Sequence, residues 1–330
     1  MYDVIFVGNA IVDMVAVGED TFLHDHKIEK GAMNLIDEER AIYLSSNMIA
    51  PTKMAGGSAA NSAVGLALLG GRSGYIGEVA DDGLGHEFIA SVEQTGVSFL
   101  GKVTNDGLAT ARSMIFVTPD AMRSMNTFLG ACIQMGPSHL EDQPKADVIY
   151  LEGYLFDAPQ GPALFEKLVK IANETGAKIA LSLSDPWCVE RHFEALSQFV
   201  KENVSILFCN EDEVKALTGL AADEAAEKAA DSLLCHLEEL VITKGADGAS
   251  IWKSGAFAAV PAAPISTVTD TTGAGDLFAA GYLYGRAQGG DARQCGLIAS
   301  ACAGEIICHY GARPEADLKA LCDDLLKIAS

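Results

Sequence analysis

Short runs rich in aliphatic and β-branched residues recur at 148–151, 178–183, 205–209 and 239–243, and amphipathic stretches separate them. Of those stretches, 161–174, 211–218 and 223–234 carry helical spacing, and the last is rich in Ala, Glu and Leu. Strands alternating with helices predict βαβ units, and hence a parallel sheet covered on both faces. The opening run MYDVIFVGNAIVD predicts a buried first strand; it lacks a basic flank and contains Asp3, Asn9 and Asp13, unlike a signal peptide or a membrane span. A further helix is predicted at 59–69, within a glycine-rich stretch at 56–85.

Two segments break this alternation, at 12–54 and 97–126. The second contains the alternating run Ala111-Arg112-Ser113-Met114-Ile115-Phe116-Val117, which predicts strands of a small accessory sheet. Because core-type sequence lies between the two segments, they read as insertions into one core, and residues 1–330 are expected to form a single domain.

Composition narrows the function classes. With 49% hydrophobic, 21% charged and 7% aromatic residues, the chain is neither disordered nor collagen-like nor a disulfide-stapled miniprotein. Lys plus Arg number 23 against 45 Asp plus Glu, and the resulting charge of -22 repels nucleic acid and anionic lipid. No nucleic-acid or membrane partner is expected, and an anionic ligand must be held by a few aimed donors. Eight cysteines without a C-x-x-C pair or zinc spacing fit a reduced, cytoplasmic protein.

The strongest chemical signal is Asp270-Thr271-Thr272-Gly273-Ala274-Gly275-Asp276-Leu277-Phe278, which leads from the β-branched stretch 265–269 into an apolar helix pattern. A glycine turn opening a helix offers unpaired N–H groups and the positive end of the helix dipole to an anion. Asp276 in the first turn either complements that dipole or accepts a proton beside the anion. No G-K-[ST] follows a glycine loop and no G-x-G-x-x-G occurs here, which argues against a Walker A site and a dinucleotide-dependent dehydrogenase.

This segment, with Phe278, Ala279 and Gly281, resembles the C-terminal signature of the ribokinase-like (PfkB) carbohydrate kinase family. A second segment is similar to the family's N-terminal glycine motif: Gly56-Gly57-Ser58-Ala59-Ala60-Asn61-Ser62-Ala63, Ala67-Leu68-Leu69-Gly70, and 77–85 with its glycines. The resemblance extends to the start of the chain at 8–13, to Asn210-Glu211-Asp212-Glu213 and to Thr243-Lys244-Gly245. It implies a three-layer α/β core with a parallel-rich sheet flanked by helices, and a small β-sheet lid in the N-terminal half that closes over the acceptor and excludes water.

By the same resemblance Asp276 is the base for the acceptor hydroxyl, and the N–H groups of Gly273, Ala274 and Gly275 form an anion hole. Asp13, Gly57 and Asn61 hold acceptor hydroxyls; a buried Asp13 could instead sit in a structural salt bridge. Glu152 matches a position facing the substrate, with a helix partner as the ordinary alternative. Arg123 resembles an arginine that reaches the transferred phosphate, the alternative being a solvated lid residue. Asn210 and Glu213 match an N-x-x-E motif that orders Mg2+ and its waters near ATP, and their spacing equally suits a helix cap and its capping-box partner. Thr243, Lys244, Gly245 and Gly248 are expected at the nucleotide, although Lys244 could be an ordinary loop lysine. Asp270 and the backbone carbonyls near Thr272 and Gly311 resemble a site for a monovalent cation such as K+. His24 and His26 are assigned no role.

Gly8-Asn9 before Asp13, Asn61-Ser62 and Arg123-Ser124 look closer to adenosine kinases than to ribokinases, and Ser58 stands at or near the usual ribokinase lysine. The expected reaction is therefore ATP-dependent phosphorylation of a nucleoside, adenosine, at its 5′ hydroxyl. Phosphorylation of a free sugar (ribose, a ketose or a sugar acid) is the alternative, and a catalytically silent nucleoside or sugar sensor is a third reading. The expected assembly is a monomer or a homodimer paired through the lid edge.

Overall fold

A computed structural model describes residues 1–325 except 121, 142–143, 222–223 and 324. Its main sheet has nine strands in the order Ala256–Val260, Ala249–Lys253, Glu239–Thr243, Ile206–Asn210, Lys178–Ser182, Ala146–Glu152, Tyr2–Val7, Ser73–Ile76 and Ser98–Phe99. Neighbours from Glu239–Thr243 to Ser98–Phe99 are parallel, and the two strands at the other edge are antiparallel.

Both faces are apolar because successive side chains point opposite ways. Val4, Phe6, Val148 and Tyr150 enter one cluster with Leu66, Leu277, Tyr282 and Ile298. Ile5, Val7, Ile149 and Leu151 enter another with Leu164, Leu168, Leu196 and Leu217. Each large apolar side chain so buried contributes about 1.5–3 kcal/mol before ordering costs. The expected three-layer architecture follows from these two covered faces.

Local signals set the helix ends. Helix Gly161–Thr175 stops at Gly176, which adopts a left-handed φ of 79°. The helix predicted from 223 begins at Lys228; residue 223 itself lies outside the described residues. The apolar N-terminal run is two strands, Tyr2–Val7 and Ile11–Val17, because the chain leaves the main sheet at 8–10. Residues 265–269 form no strand and approach the site as a loop.

A five-stranded sheet holds Met33–Leu35, Arg123–Phe128, Ala111–Val117, Ile11–Val17 and Thr52–Ala55, in that order. The predicted second insertion started too early. Ser98–Phe99 pairs with Ser73–Ile76 in the main sheet, and Lys102–Thr104 pairs with Glu78–Ala80, so the small sheet resumes only at Ala111. One face of this sheet carries Met14, Met114 and Phe116, packed with Leu23, Ala41 and Leu44. The register lines up Asp13, Ser113 and Thr127 on the opposite face, followed by Val15, Ile115 and Met125, then Val17, Val117 and Arg123.

Two helices meet behind the site, Ser58–Leu68 and Ala274–Ala287. At Gly65 a Cβ would lie 2.7 Å from both the Ala280 Cβ and a Leu277 methyl, so glycine lets the helices approach this closely.

Candidate active site

Asp276 stands in the first turn of helix Ala274–Ala287, which opens at Gly273 with φ of 78°. Its Oδ1 accepts from Ser58 Oγ at 2.6 Å and its Oδ2 from Asn61 Nδ2 at 2.9 Å, while its carbonyl accepts from Ser62 Oγ at 3.0 Å. Three residues of the facing helix thus fix one aspartate. Burial raises the pKa of Asp276, and the Ser58 and Asn61 bonds and the Arg313 charge offset only part of that rise. Asn61 lies near the start of helix Ser58–Leu68. With its Nδ2 committed to Asp276, its buried Oδ1 finds no partner among the described residues.

Of the three N–H groups expected to form an anion hole, Ala274's donates to the Thr271 carbonyl at 3.2 Å. Those of Gly273 and Gly275 have no partner among the described residues. A cleft of about 620 Å³ opens beside them, lined by Thr243, Gly245, Gly248, Ala274, Gly275 and Phe278 among others. Pro264, Ile265, Ser300 and Ile307 also contribute to its walls. Sequence reasoning missed these four, because small and apolar side chains carry no chemical signature. Lys244 is turned elsewhere: its Nζ pairs with Glu227 Oε1 at 3.0 Å, the ordinary alternative for that residue.

Asn210 and Glu213 form a capping box. Asn210 Oδ1 accepts from the Glu213 N–H at 2.8 Å, and the Glu213 oxygens accept from the Asn210 N–H and Nδ2 at 2.9 and 2.8 Å. Burial pushes the Glu213 carboxyl up to about 7.

Asp13 enters from the small sheet, against the Gly56–Gly57 turn. Gly57 has φ of 89°, and a Cβ there would lie 2.2 Å from the Asn9 carbonyl, so the turn requires glycine. No described residue donates a hydrogen bond to the Asp13 carboxylate. Burial pushes it up to about 7 against the charges of Arg123 and Arg313, and neither arginine pairs with it directly. The structural salt bridge weighed for Asp13 does not form among the described residues.

Glu152 lies behind the site and is fully engaged. Its Oε1 accepts from the Asn9 N–H and Nδ2 at 2.8 and 2.9 Å, and its Oε2 accepts from the Ala59 N–H at 2.9 Å. It ties the exit of the first strand to the start of helix Ser58–Leu68, so it positions Asn9 and the glycine turn rather than facing an open space. Burial pushes its carboxyl up to about 7.

Arg123 reaches across from the small sheet to Asp270, Nη1 to Oδ1 at 3.1 Å. Asp270 also accepts from the Thr272 N–H at 3.0 Å, Thr272 Oγ1 at 2.7 Å and the Gly311 N–H at 2.9 Å. Burial alone would raise its pKa, but these donors outweigh burial and hold it below the usual carboxylate value. These donors and Arg123 engage the Asp270 carboxylate, while the backbone carbonyls near Thr272 and Gly311, on which the expected monovalent-cation site also rests, take part in none of these bonds.

Ser58, Ser62 and Arg313 are polar residues of the site to which the sequence assigns no role. Ser58 could have been found from its i, i+3 spacing to Asn61 on one helical face. The only signal for Arg313 is a lone cation directly after Gly311-Ala312 in an acidic chain.

Residues 33–318 match the family described as pfkB family carbohydrate kinase. The solved structure of adenosine kinase from Sinorhizobium meliloti superposes with a TM-score of 0.90 at 40% identity, covering 98% of this chain and 99% of that one. A probable sugar kinase from Rhizobium etli CFN 42 gives a TM-score of 0.90 and 40% identity, covering 98% of each chain. Adenosine kinase of Saccharomyces cerevisiae is 26% identical over 308 residues, covering 87% of this chain and 89% of its own. Among the described residues no helix is long and apolar enough to cross a membrane. With the match spanning both glycine motifs and the turn that carries Asp276, the chain belongs to the pfkB family of carbohydrate kinases, phosphotransferases that act on sugars or nucleosides.

Proposed function

We propose that this kinase transfers the γ-phosphoryl group of ATP to the 5′ hydroxyl of a nucleoside, with adenosine giving AMP. The observation that carries the choice of a nucleoside is the face of the small sheet bearing Asp13. There the carboxylate is followed by Val15, buried Ile115 and Met125, then by Val17, which is 80% exposed, and Val117, with Arg123 at the end of that row. A free sugar, hydroxylated all round, has no use for such an apolar wall, whereas the flat face of a purine does. The similarity to an adenosine kinase across nearly the whole chain supports the same reading.

In this mechanism Asp13 and the orphan Asn61 Oδ1 accept from ribose hydroxyls and turn the 5′ hydroxyl toward Asp276. Asp276 Oδ takes the hydroxyl proton as the oxygen bonds to the γ-phosphorus and the bond to the β–γ bridging oxygen breaks, releasing ADP. The N–H groups of Gly273 and Gly275, which have no partner among the described residues, donate to the charge on the transferred group. Arg123, bound to Asp270, latches the small sheet as a lid over the reacting atoms and excludes water.

The cleft and its unpartnered N–H groups fit the phosphates of ATP. Mg2+ takes one or two carboxylates plus phosphates and waters, and Glu213, held by Asn210, fits that outer role. The ion would screen the phosphates in a chain whose overall field opposes them.

The second reading, a free-sugar kinase, rests on the equally similar probable sugar kinase. An acceptor panel with MgATP separates the two. The nucleoside reading predicts a kcat/KM for adenosine at least about 10²-fold above that for ribose and fructose, since losing the base forfeits its burial against the lid. A higher value for a free sugar overturns it.

A further inference from the structure

Arg313 is delivered to the site by its neighbours. The Gly311 N–H is bonded to Asp270, and Ala312 packs against Gly273, where an added Cβ would lie 2.8 Å from the Ala312 Cβ. The guanidinium Nε, Nη1 and Nη2 are all buried, and among the described residues none has a hydrogen-bond partner. A guanidinium carries five N–H donors and stays charged, so leaving all three nitrogens unmatched is costly unless a ligand completes them. The charges it feels most are those of Asp13 and Asp276, neither of which pairs with it directly.

The vacancies around it are complementary. Arg313 lacks acceptors, whereas the Asp13 carboxylate and Asn61 Oδ1 lack donors. An anionic group would satisfy the guanidinium but would set a negative charge against two aspartates. A hydroxyl serves both sides, since its oxygen accepts from Arg313 while its proton goes to Asp13 or Asn61.

We propose that Arg313 is the donor half of the acceptor cradle, binding a ring hydroxyl oxygen whose proton is taken by Asp13 or Asn61, and that it selects neutral vicinal-hydroxyl acceptors over sugar phosphates and sugar acids. This rests on the reading of Asp13 and Asn61 as hydroxyl-holding residues and holds for a nucleoside or a free neutral sugar. Arg313 thereby narrows the acceptor class from within the core, on a segment separate from both glycine motifs.

The test couples substitution to hydroxyl deletion. Arg313→Gln and Arg313→Lys are compared with wild type on adenosine, 2′-deoxyadenosine and 3′-deoxyadenosine, or on the matching deoxy sugars if wild type phosphorylates only a free sugar. That wild-type result alone decides the nucleoside reading. For Arg313 the expected result is an acceptor KM raised roughly 10- to 100-fold in Arg313→Gln, with partial recovery in Arg313→Lys and an ATP KM within about twofold. The loss shrinks below about threefold for the one analogue lacking the bound hydroxyl, the non-additivity expected of a direct contact. A loss equal for every acceptor, a loss confined to ATP, or no loss overturns the proposal. If Arg313→Gln fails to fold, Arg313→Lys carries the same coupling test.

Discussion

Three aspartates share the site, and their partners give them different work. Asp270 is surrounded by donors and held ionised, Asp276 is held by Ser58 and Asn61 yet raised by burial, and Asp13 faces no donor and is pushed up to about 7. A base must be ionised to accept a proton, so with Asp276 as the proposed base kcat/KM is expected to fall as pH drops through its pKa. Burial raises that pKa most, the Ser58 and Asn61 hydrogen bonds and the Arg313 charge oppose that rise, and the net effect is upward from 3.8. The acid limb of the pH–rate profile is therefore expected above the ordinary aspartate value; a limb at about 3.8 contradicts this account. Asp276, Asn61 and Gly57 were legible in the sequence because short motifs hold them. The partnership of Ser58 with Asp276 spans 218 residues, and that of Lys244 with Glu227 depends on how two loops pack, so neither left a local pattern.

At the scale of elements, the geometry of the site depends on how closely helix Ser58–Leu68 approaches helix Ala274–Ala287. Gly65→Ala would drive its Cβ into Ala280 and Leu277, costing about 1–3 kcal/mol and moving Ser58 and Asn61 away from Asp276. Gly83→Ala is the control, since nothing lies within 4 Å of its added Cβ. Thermal melts and kcat are expected to fall together in Gly65→Ala and to stay near wild type in Gly83→Ala; an unchanged Gly65→Ala contradicts the packing argument. Helices such as Glu211–Thr218 were readable from period and caps, and the buried strands from their aliphatic runs. The limits of the small sheet were not, because Met33–Leu35 and Lys102–Thr104 are too short to show a period and Ser98–Phe99 differs from its neighbours only in which sheet it joins.

For the molecule as a whole, topology collects the chemistry. Parallel strands bring their C-terminal ends to one edge, and Tyr2–Val7, Ala146–Glu152, Ile206–Asn210 and Glu239–Thr243 deliver Asn9, Glu152, Asn210 and Thr243 there. The acidic chain, at -22, meets a phosphate donor at that edge with the backbone N–H groups of Gly273 and Gly275 rather than a basic surface. The proposed reaction has Asp276 take the acceptor proton in phosphoryl transfer to a nucleoside. It is tested most directly by following AMP formation from adenosine and MgATP with wild type and Asp276→Asn, alongside calorimetric binding of adenosine. The account predicts AMP from wild type, a kcat lowered roughly 10²- to 10⁴-fold in Asp276→Asn, and adenosine affinity within about threefold. No AMP from wild type, or a comparable kcat in the variant, contradicts it.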